Sequence, residues 1–203
     1  MTAKLVATVS LLAALGWSLP TLAAGSADAG QAKSATCVAC HGTDGNSVNP
    51  EWPNLAGQHP SYLAKQLRAF RDGQRENVLM SPMAMGLSDQ DIEDLAAYFA
   101  AQTLRGGETD PGKLAAGQRV YRAGNLRREV AACAGCHGPA GRGNPAANYP
   151  SLQGQQATYV AAQLRAYRSG ARATDPNQMM RNVAAGLSDE EIDAVASYVH
   201  GLR

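Results

Sequence analysis

Apolar residues recur at helical spacing in four segments of the chain, and these segments form two matching pairs. The first pair has its apolar residues at i, i+4 and i+7, in Leu63, Leu67 and Phe70 and again in Val160, Leu164 and Tyr167. The second pair uses i, i+3, i+4 and i+7, in Ile92, Leu95, Ala96 and Phe99 and again in Ile192, Val195, Ala196 and Val199. Such spacing places one apolar stripe on each helix, facing a core. The pattern predicts an all-α fold with no substantial sheet.

The residues that would end and start these helices are repeated as well. Gly73 and Gly170 stand where a helix stop belongs, directly after the first helix of each pair. Ser88 and Ser188 each follow Gly-Leu, precede Asp and have an acidic residue three positions on. That arrangement is typical of a helix N-cap with a capping box. The same helical unit is therefore predicted twice.

Self-alignment of the chain supports two domains. We predict tandem α-helical domains of three or more helices each, spanning residues 24–102 and 113–203. Residues 103–112 are rich in Gly, Thr and charge and contain Pro111, which is typical of a linker.

Residues 1–23 have the features of a signal peptide. One early charge, Lys4, is followed by the mostly apolar run 5–15. Small residues Thr21 and Ala23 precede Ala24, so cleavage is predicted before Ala24. The alternative is an uncleaved membrane anchor, although the run is short for a span of roughly 20 residues.

All four cysteines lie in two copies of one pentapeptide, at the same place in each unit. The copies are Cys37-Val38-Ala39-Cys40-His41 and Cys133-Ala134-Gly135-Cys136-His137. C-x-x-C-H is the attachment signature of c-type haem, because both thiols reach one porphyrin and the adjacent His binds its iron. A first helix is expected before each copy, at residues 29–36 and 113–123. The sequence predicts two covalent haem c groups, held by Cys37 and Cys40 and by Cys133 and Cys136, with His41 and His137 as iron ligands.

Three other uses of the cysteines are less consistent with the pattern. Zinc ribbons usually hold their two pairs closer together, and zinc would leave both histidines unexplained. A thioredoxin-like redox dithiol normally occurs in a βαβ unit, and no strand pattern precedes either copy. A disulfide across two residues closes too small a loop to stabilise much.

The repeat also selects the second axial ligand. When the units are aligned on Gly-Leu-Ser-Asp, only Met80 and Met180 coincide among the methionines. Both are expected in irregular segments outside the helices, and a Met thioether is a usual sixth ligand in electron carriers. We predict His41 with Met80 and His137 with Met180. The unmatched methionines Met83, Met85 and Met179 are interpreted as apolar fillers.

The remaining histidines fail the same test, because His59 aligns with Gln156 and His200 with Ala100. Surface or capping roles are predicted for both. A ligating His normally has its Nδ1 proton held by an acceptor, and the Pro53 and Pro150 carbonyls are candidates.

Charge is divided unevenly along the mature chain. Residues 24–103 carry five basic and nine acidic residues, a net charge of −4. Residues 104–203 carry twelve basic and eight acidic residues, a net charge of +4. The asymmetry suggests partners at opposite ends, although a solvated surface explains it equally well. No nucleic-acid patch is present, so nucleic acid is not an expected partner.

The combination of tandem C-x-x-C-H motifs, Pro-x-Leu after each haem loop, Gly-Gln before a helix and Met seven residues before Leu-Ser-Asp resembles the cytochrome c4 family. The resemblance covers residues 24–203. It implies two class I cytochrome c domains, a periplasmic location and two His/Met-ligated haems that exchange electrons quickly. It also implies the bc1 complex or a dehydrogenase as donor, a terminal cytochrome oxidase as acceptor and possible association with the membrane surface. One departure is that the stretch from Gly170 to Met180 is three residues longer than that from Gly73 to Met80.

A six-coordinate iron has no open position for a substrate, so the ligand set favours an electron carrier with no catalytic residues. The alternative is a haem enzyme or enzyme subunit, such as a dihaem peroxidase or a thiosulfate-oxidising cytochrome, in which one ligand is labile. No repeated acid or base near the motifs supports that alternative.

Overall fold

The computed structural model describes residues 24–203, and the predicted signal peptide lies outside this range. Ten α-helices are formed there: α1 Ala27–Lys33, α2 Ala35–His41, α3 Pro60–Arg71, α4 Met80–Met85, α5 Asp89–Ala100, α6 Leu114–Ala123, α7 Ala134–His137, α8 Ala157–Ser169, α9 Met179–Ala185 and α10 Asp189–His200. The only β pairing in the described range consists of two isolated bridges, Asn125 with Val130 and Asn144 with Tyr149. No helix among these residues has the length and apolar character to cross a membrane. The all-α prediction is confirmed.

The N-terminal domain is built on α3 and α5, as the apolar stripes predict. Leu63 of α3 and Ile92, Leu95 and Phe99 of α5 are buried in one cluster. Helix α5 starts with the expected capping box, in which the Ser88 hydroxyl accepts from the Asp91 N–H and the Asp91 carboxylate accepts from the Ser88 N–H. The cap aligns the helix so that its apolar face meets α3.

The C-terminal domain repeats this construction with α8 and α10. Its core contains Val160 of α8 and Ile192, Val195 and Val199 of α10. The Ser188 capping box is present. The predicted helix stops are also present, because Gly73 follows α3 with φ +70° and Gly170 ends α8 with φ +80°. Only glycine adopts this left-handed conformation without strain.

The helix expected before the second haem motif, at residues 113–123, is present as α6, whereas the segment before the first motif differs from the prediction. In place of one helix at residues 29–36, α1 ends at Lys33 and α2 continues through the whole first pentapeptide. The second pentapeptide is preceded by α6 and a short 3₁₀ turn, Leu126–Arg128, and only α7 is helical within it. Helices of one or two turns are too short for apolar periodicity to define them.

The expectation that Met80 and Met180 lie outside helices is wrong, because they are the first residue of α4 and the second of α9. Side-chain acceptors explain these short helices. The Asn77 amide oxygen accepts from the Met80 N–H at 2.9 Å, and the Asp175 carboxylate accepts from the Arg181 N–H at 3.0 Å. Each acceptor satisfies an N–H that a helix start leaves unpaired.

The segment between the domains is extended and hydrogen-bonded to both of them. The Arg105 N–H donates to the Asn46 side chain of the N-terminal domain at 2.9 Å. Two residues later, the Gly107 N–H donates to the carbonyl of His200 in the C-terminal domain at 3.1 Å. The connection therefore holds the domains together, rather than serving only as a loose tether.

The hydrogen bonds between the two domains are related by approximate two-fold symmetry. The Gln58 side chain exchanges two bonds with the backbone of Ser151, at 2.8 and 2.9 Å. The Gln155 side chain exchanges two bonds with the backbone of Asn54, both at 2.8 Å. All four residues are buried, so these pairs fix the relative position of the domains.

Candidate haem sites

Both pentapeptides present their cysteines and histidine in the same way. His41 and His137 are buried, each with 6% of its surface exposed. The first cysteine of each motif, Cys37 or Cys133, packs against the domain core, whereas Cys40 and Cys136 are exposed. All four thiols are free. Each domain therefore holds two thiols and one imidazole at the edge of its core.

A backbone carbonyl fixes each imidazole. Nδ1 of His41 donates to the Pro53 carbonyl at 2.9 Å, and Nδ1 of His137 donates to the Pro150 carbonyl at 2.9 Å. These are the two proposed acceptors, and both bonds are present. Because Nδ1 keeps its proton, Nε2 carries the free lone pair that a metal requires. Neither Nε2 atom forms a hydrogen bond within residues 24–203, which fits an iron ligand.

Burial lowers the pKa of His41 and of His137, although the bonds to Pro53 and Pro150 oppose the shift. The neutral imidazole, which is the form that binds a metal, is therefore favoured at neutral pH.

The thiols are not arranged for zinc. Within residues 24–203, no three His, Cys, Asp or Glu side chains come together as a metal site. Burial raises the pKa of Cys37, and it raises the pKa of Cys133 to about 11. The zinc alternative therefore lacks the number of ligands that a tetrahedral site needs. Covalent attachment of one porphyrin to each motif would use all four thiols.

The methionine segments lie in equivalent places, because α4 packs against α3 and α9 packs against α8. Met80 and Met180 are both half-buried. Their assignment as iron ligands stays a prediction. The interpretation of the other methionines as fillers is wrong for Met83 and Met85, which are 58% and 71% exposed.

The two other histidines hold the chain in place through backbone carbonyls. His59 Nε2 contacts the Arg142 carbonyl of the other domain at 2.8 Å. His200 Nδ1 contacts the Gln155 carbonyl at 3.1 Å.

A polar cluster that was not predicted from the sequence lies between the domains. It contains two arginines at the same position of each repeat, Arg75 and Arg172, with tyrosine and glutamine side chains from α3 and α8. The signal was present in the sequence, because the same residue types recur in both units off the apolar stripe. The sequence does not show that they meet across the interface.

Known proteins match this chain along most of its length. The sequence model of the Cytochrome c family matches residues 27–102 and 114–203. A cytochrome c4 from Pseudomonas aeruginosa is 48% identical over 196 residues, which cover 96% of this chain and 98% of that protein. A thiosulfate dehydrogenase electron acceptor from Thiomonas intermedia is 39% identical, and the alignment covers 96% of this chain and 89% of that protein.

A solved structure agrees with the fold. The crystal structure of reduced recombinant cytochrome c4 from Pseudomonas stutzeri aligns with a TM-score of 0.86 and 46% identity, covering 89% of this chain and 100% of that chain. The tandem helical domains, the repeated C-x-x-C-H motifs and these likenesses agree. The chain belongs to the cytochrome c4 family, and it is a dihaem electron-transfer cytochrome with two covalently attached haem c groups.

Proposed function

We propose that this cytochrome is a periplasmic carrier in which His41 with Met80 and His137 with Met180 hold the two irons. Residues 1–23 are its signal peptide, residues 24–102 and 113–203 its haem domains, and residues 103–112 the linker. The observation that carries the ligand assignment is the repeated bond from His Nδ1 to a proline carbonyl, 2.9 Å in both domains. It leaves Nε2 as the coordinating atom on one side, and the repeat supplies one methionine for the other side.

The bound haem supplies one-electron Fe(II)/Fe(III) chemistry. The residues of the chain determine how the haem is retained, how its ligands are oriented and what its reduction potential is. The thioether bonds to Cys37, Cys40, Cys133 and Cys136 prevent haem loss outside the cell. The proline carbonyls fix the imidazole planes, and the soft Met sulfurs favour the ferrous state, which raises the reduction potential.

Two protein ligands on each iron leave no position for a substrate, so we propose a carrier and not an enzyme. The proposed donor is the bc1 complex or a dehydrogenase, and the proposed acceptor is a terminal cytochrome oxidase. The carrier is proposed to work in solution or loosely at the membrane surface. The opposite net charges of the two halves support docking at two different ends.

Spectroscopy of the oxidised holoprotein tests the ligand set. A weak near-infrared sulfur-to-iron band accounting for two irons is expected, together with two haems per chain by quantitation. A high-spin haem, or rapid binding of carbon monoxide by the reduced wild type, would contradict the proposal.

A second role is favoured by one relative, the thiosulfate dehydrogenase electron acceptor from Thiomonas intermedia. The chain would then accept electrons from a sulfur-oxidising enzyme and still act as a carrier. Reduction of the oxidised protein by a thiosulfate dehydrogenase and by a bc1 complex, compared at several salt concentrations, distinguishes the donors. The true donor is expected to react faster, and its rate is expected to fall as salt screens the charges.

A further inference from the structure

The C-terminal domain contains a loop that the N-terminal domain lacks. Gly30 of α1 and Gly117 of α6 occupy equivalent positions, because each lies against the backbone of the last helix of its domain. Cys37 follows Gly30 by seven residues, whereas Cys133 follows Gly117 by sixteen. The nine extra residues begin where α6 ends and lead directly into the second haem motif. We name residues 124–132 the insertion loop.

The insertion loop is anchored at both ends. Asn125 and Val130 exchange two backbone hydrogen bonds, at 2.9 and 3.0 Å, which close the loop around the short turn Leu126–Arg128. The Asn125 side chain donates to Glu191 of α10 at 2.6 Å. Val130 is part of the domain core, with 1% of its surface exposed. The loop is therefore an ordered part of the protein surface.

The insertion loop presents an apolar tip with basic residues beside it. Leu126 is 90% exposed, and Arg127 and Arg128, which follow it, are exposed as well. Helix α6 adds the exposed residues Arg119 and Arg122, which share one face of the helix because they are three residues apart. We name Leu126 and these four arginines the basic surface.

Glu191 of α10 shows that the two parts of the basic surface are neighbours. Burial opposes the shift, but the pKa of Glu191 is lowered by bonds to Ser188 and Asn125 and by the charges of Arg128 and Arg119. Arg128 belongs to the insertion loop and Arg119 to α6. Because both act on one carboxylate, the helix face and the loop form one continuous surface.

Most of the positive charge on the basic surface is not neutralised. Within residues 24–203, Arg128 approaches Glu191 at 3.9 Å, and the other three arginines form no ion pair. Glu129 is the one carboxylate of the insertion loop. In the N-terminal domain, by contrast, Lys33 is the one basic residue of α1, and it is paired with α5. The basic surface therefore attracts anionic partners to the C-terminal domain.

The basic surface lies beside the proposed haem site of its domain. The insertion loop ends directly before Cys133, and the Nε of Arg128 donates to the Gly186 carbonyl at 2.6 Å. Gly186 follows α9, the helix that contains Met180. The loop therefore contacts both the segment that attaches the haem and the segment with the proposed methionine ligand. A redox protein must approach the haem whereas a membrane lipid need not, so this position favours a redox partner.

We propose that the basic surface is the docking site for a redox protein with an acidic docking face, and that this partner exchanges one electron at a time with the C-terminal haem. The inference rests on the carrier role proposed above and assigns one class of partner to one domain. Leu126 forms the apolar centre of the contact, and the arginines form its charged rim, which is the usual arrangement of a protein interface. The opposite charges accelerate the encounter, so salt slows it.

Charge-reversal variants test the proposal in the full haem-loaded protein. Arg122→Glu and Arg127→Glu are compared with wild type in electron exchange with a bc1 complex and with a terminal cytochrome oxidase, by stopped-flow absorbance at low and high salt. With at least one complex, each variant should lower the second-order rate constant by about three- to tenfold at low salt, and high salt should remove the difference. Leu126→Ser should lower the rate constant by about threefold at both salt concentrations, because it removes an apolar contact.

Lys65→Glu is the matched control for these variants. Lys65 of α3 forms no ion pair in the described part of the chain, and the substitution changes the net charge by the same amount. It should leave both rate constants nearly unchanged. If Lys65→Glu slowed the reaction as much as the arginine variants, or if the arginine variants reacted with both complexes as fast as wild type, the proposal would be wrong. Both reduction potentials are measured on every variant to show that the haems are intact.

A second measurement does not depend on the proposed partners. Deca-glutamate is added to the reduced wild-type protein at low salt, and the backbone amide shifts are followed by NMR. Shifts concentrated in residues 119–130 are expected, and shifts that are absent or spread evenly over the chain would contradict the proposal. If wild type exchanged electrons with neither complex, the carrier role would fail, and the peptide would still decide whether this surface binds an acidic partner.

An anionic membrane is the other source of negative charge. Binding of wild type and of the two arginine variants to phosphatidylglycerol vesicles is measured by co-sedimentation. If the arginine variants lost vesicle binding but kept wild-type rates of electron exchange with both complexes, the surface would be a lipid-binding site and the proposal would be wrong. We expect the variants to lose rate with a protein complex whether or not vesicle binding changes.

Discussion

The methionine-bearing segments of the two domains occupy the same position but are held and exposed differently. In the N-terminal domain, Val78 and Leu79 are 90% and 56% exposed, and the segment 78–85 carries no charge. In the C-terminal domain, Arg181 follows the methionine and pairs with the buried Asp175 at 2.8 Å. The same methionine position can therefore be built with an apolar surface or with an internal ion pair.

The three extra residues of the second segment explain part of the difference. They are accommodated around a short turn, Pro176–Gln178, where Asn177 and Gln178 have φ of 51° and 58°. Left-handed backbone at two successive non-glycine residues costs free energy, and the Asp175 to Arg181 bonds close the loop around it. The N-terminal segment is held by the Asn77 cap and by the bond from the Asn77 N–H to the Ser81 hydroxyl, and within residues 24–203 it forms no ion pair. We infer that the N-terminal methionine is the more easily displaced of the two.

The largest expected effect comes from removing each methionine in turn. Met80→Ala and Met180→Ala should each abolish the near-infrared band of one haem. Each should also lower its potential by at least about a hundredfold in the equilibrium constant, or about 120 mV, because the sulfur no longer favours the ferrous iron. Carbon monoxide should bind faster to Met80→Ala, since its segment is exposed. Met83→Ala is the control, and loss of the band there but not in Met80→Ala would show that the ligand assignment is wrong.

The next largest effect concerns a feature that the domains share. Gly30 of α1 and Gly117 of α6 lie against the backbone of the last helix of their domain. An added Cβ would lie 2.0 Å from the Asp94 carbonyl oxygen in one case and 2.2 Å from that of Ala194 in the other. Gly30→Ala and Gly117→Ala should therefore each lower the free energy of unfolding of their own domain by about 3 kcal/mol.

Denaturant unfolding followed at each haem checks this expectation. Gly86→Ala is the matched control, because Gly86 has φ −90° and no atom within 4 Å of the added Cβ. It should change stability little, and equal losses in all three variants would mean that backbone contact is not the cause.

A smaller effect is expected from the two side chains that start α4 and α9. Asp175→Ala removes a charge-assisted bond and should cost the C-terminal domain about 2 kcal/mol. Asn77→Ala removes an uncharged cap and should cost the N-terminal domain about 1 kcal/mol. Thermal unfolding of both variants measures the difference. A larger loss for Asn77→Ala would show that the N-terminal methionine segment is the more firmly held of the two.

The smallest effect is a difference in acid sensitivity. Lys33 of α1 pairs with Asp91 and Asp94 of α5, and the pKa of each carboxyl falls to about 2. An unfolded Asp has a pKa of about 3.9. A carboxyl whose pKa is depressed by folding stabilises the fold above its unfolded pKa, and this contribution is lost as pH falls through the folded value. The N-terminal domain should therefore lose stability between about pH 4 and pH 2.

The C-terminal domain has Ala194 at the position of Asp94, and α6 is anchored by apolar contacts that include Tyr121 packed against Tyr198. Burial opposes the shift, but the bond from the Ser188 N–H and the contacts with Asn125, Arg128 and Arg119 lower the pKa of Glu191 in α10. The corresponding helix contact should therefore depend on pH in this window less than that of the N-terminal domain, where two carboxylates are protonated. Domain unfolding measured from pH 5 to pH 2, with Lys33→Met as control, tests the difference. If Lys33→Met and wild type lost stability equally over that range, the ion pair would not be the cause.

The long elements were predictable from the sequence, and the contacts between the domains were not. Helices α5 and α10 have full apolar stripes and Ser caps, so their position and inward face follow from local chemistry alone. The short helices α4 and α9 depend on a single acceptor side chain each, which periodicity does not reveal. Gln58 and Gln155 were visible as a repeat, but their partners are backbone groups about a hundred residues away. No local pattern encodes that pairing.

The reciprocal glutamine contacts have a consequence for how such a chain arises. Each domain contributes one glutamine side chain, Gln58 or Gln155, to the interface. Each domain also contributes the backbone group, at Asn54 or Ser151, that forms hydrogen bonds with the glutamine of the other domain. A solitary unit with these features is self-complementary, as subunits of a symmetric homodimer are. Joining two copies end to end turns an encounter that depends on concentration into a permanent one. Because the glutamines bond to backbone groups, the side chains at Asn54 and Ser151 can change in sequence without loss of these hydrogen bonds between the domains.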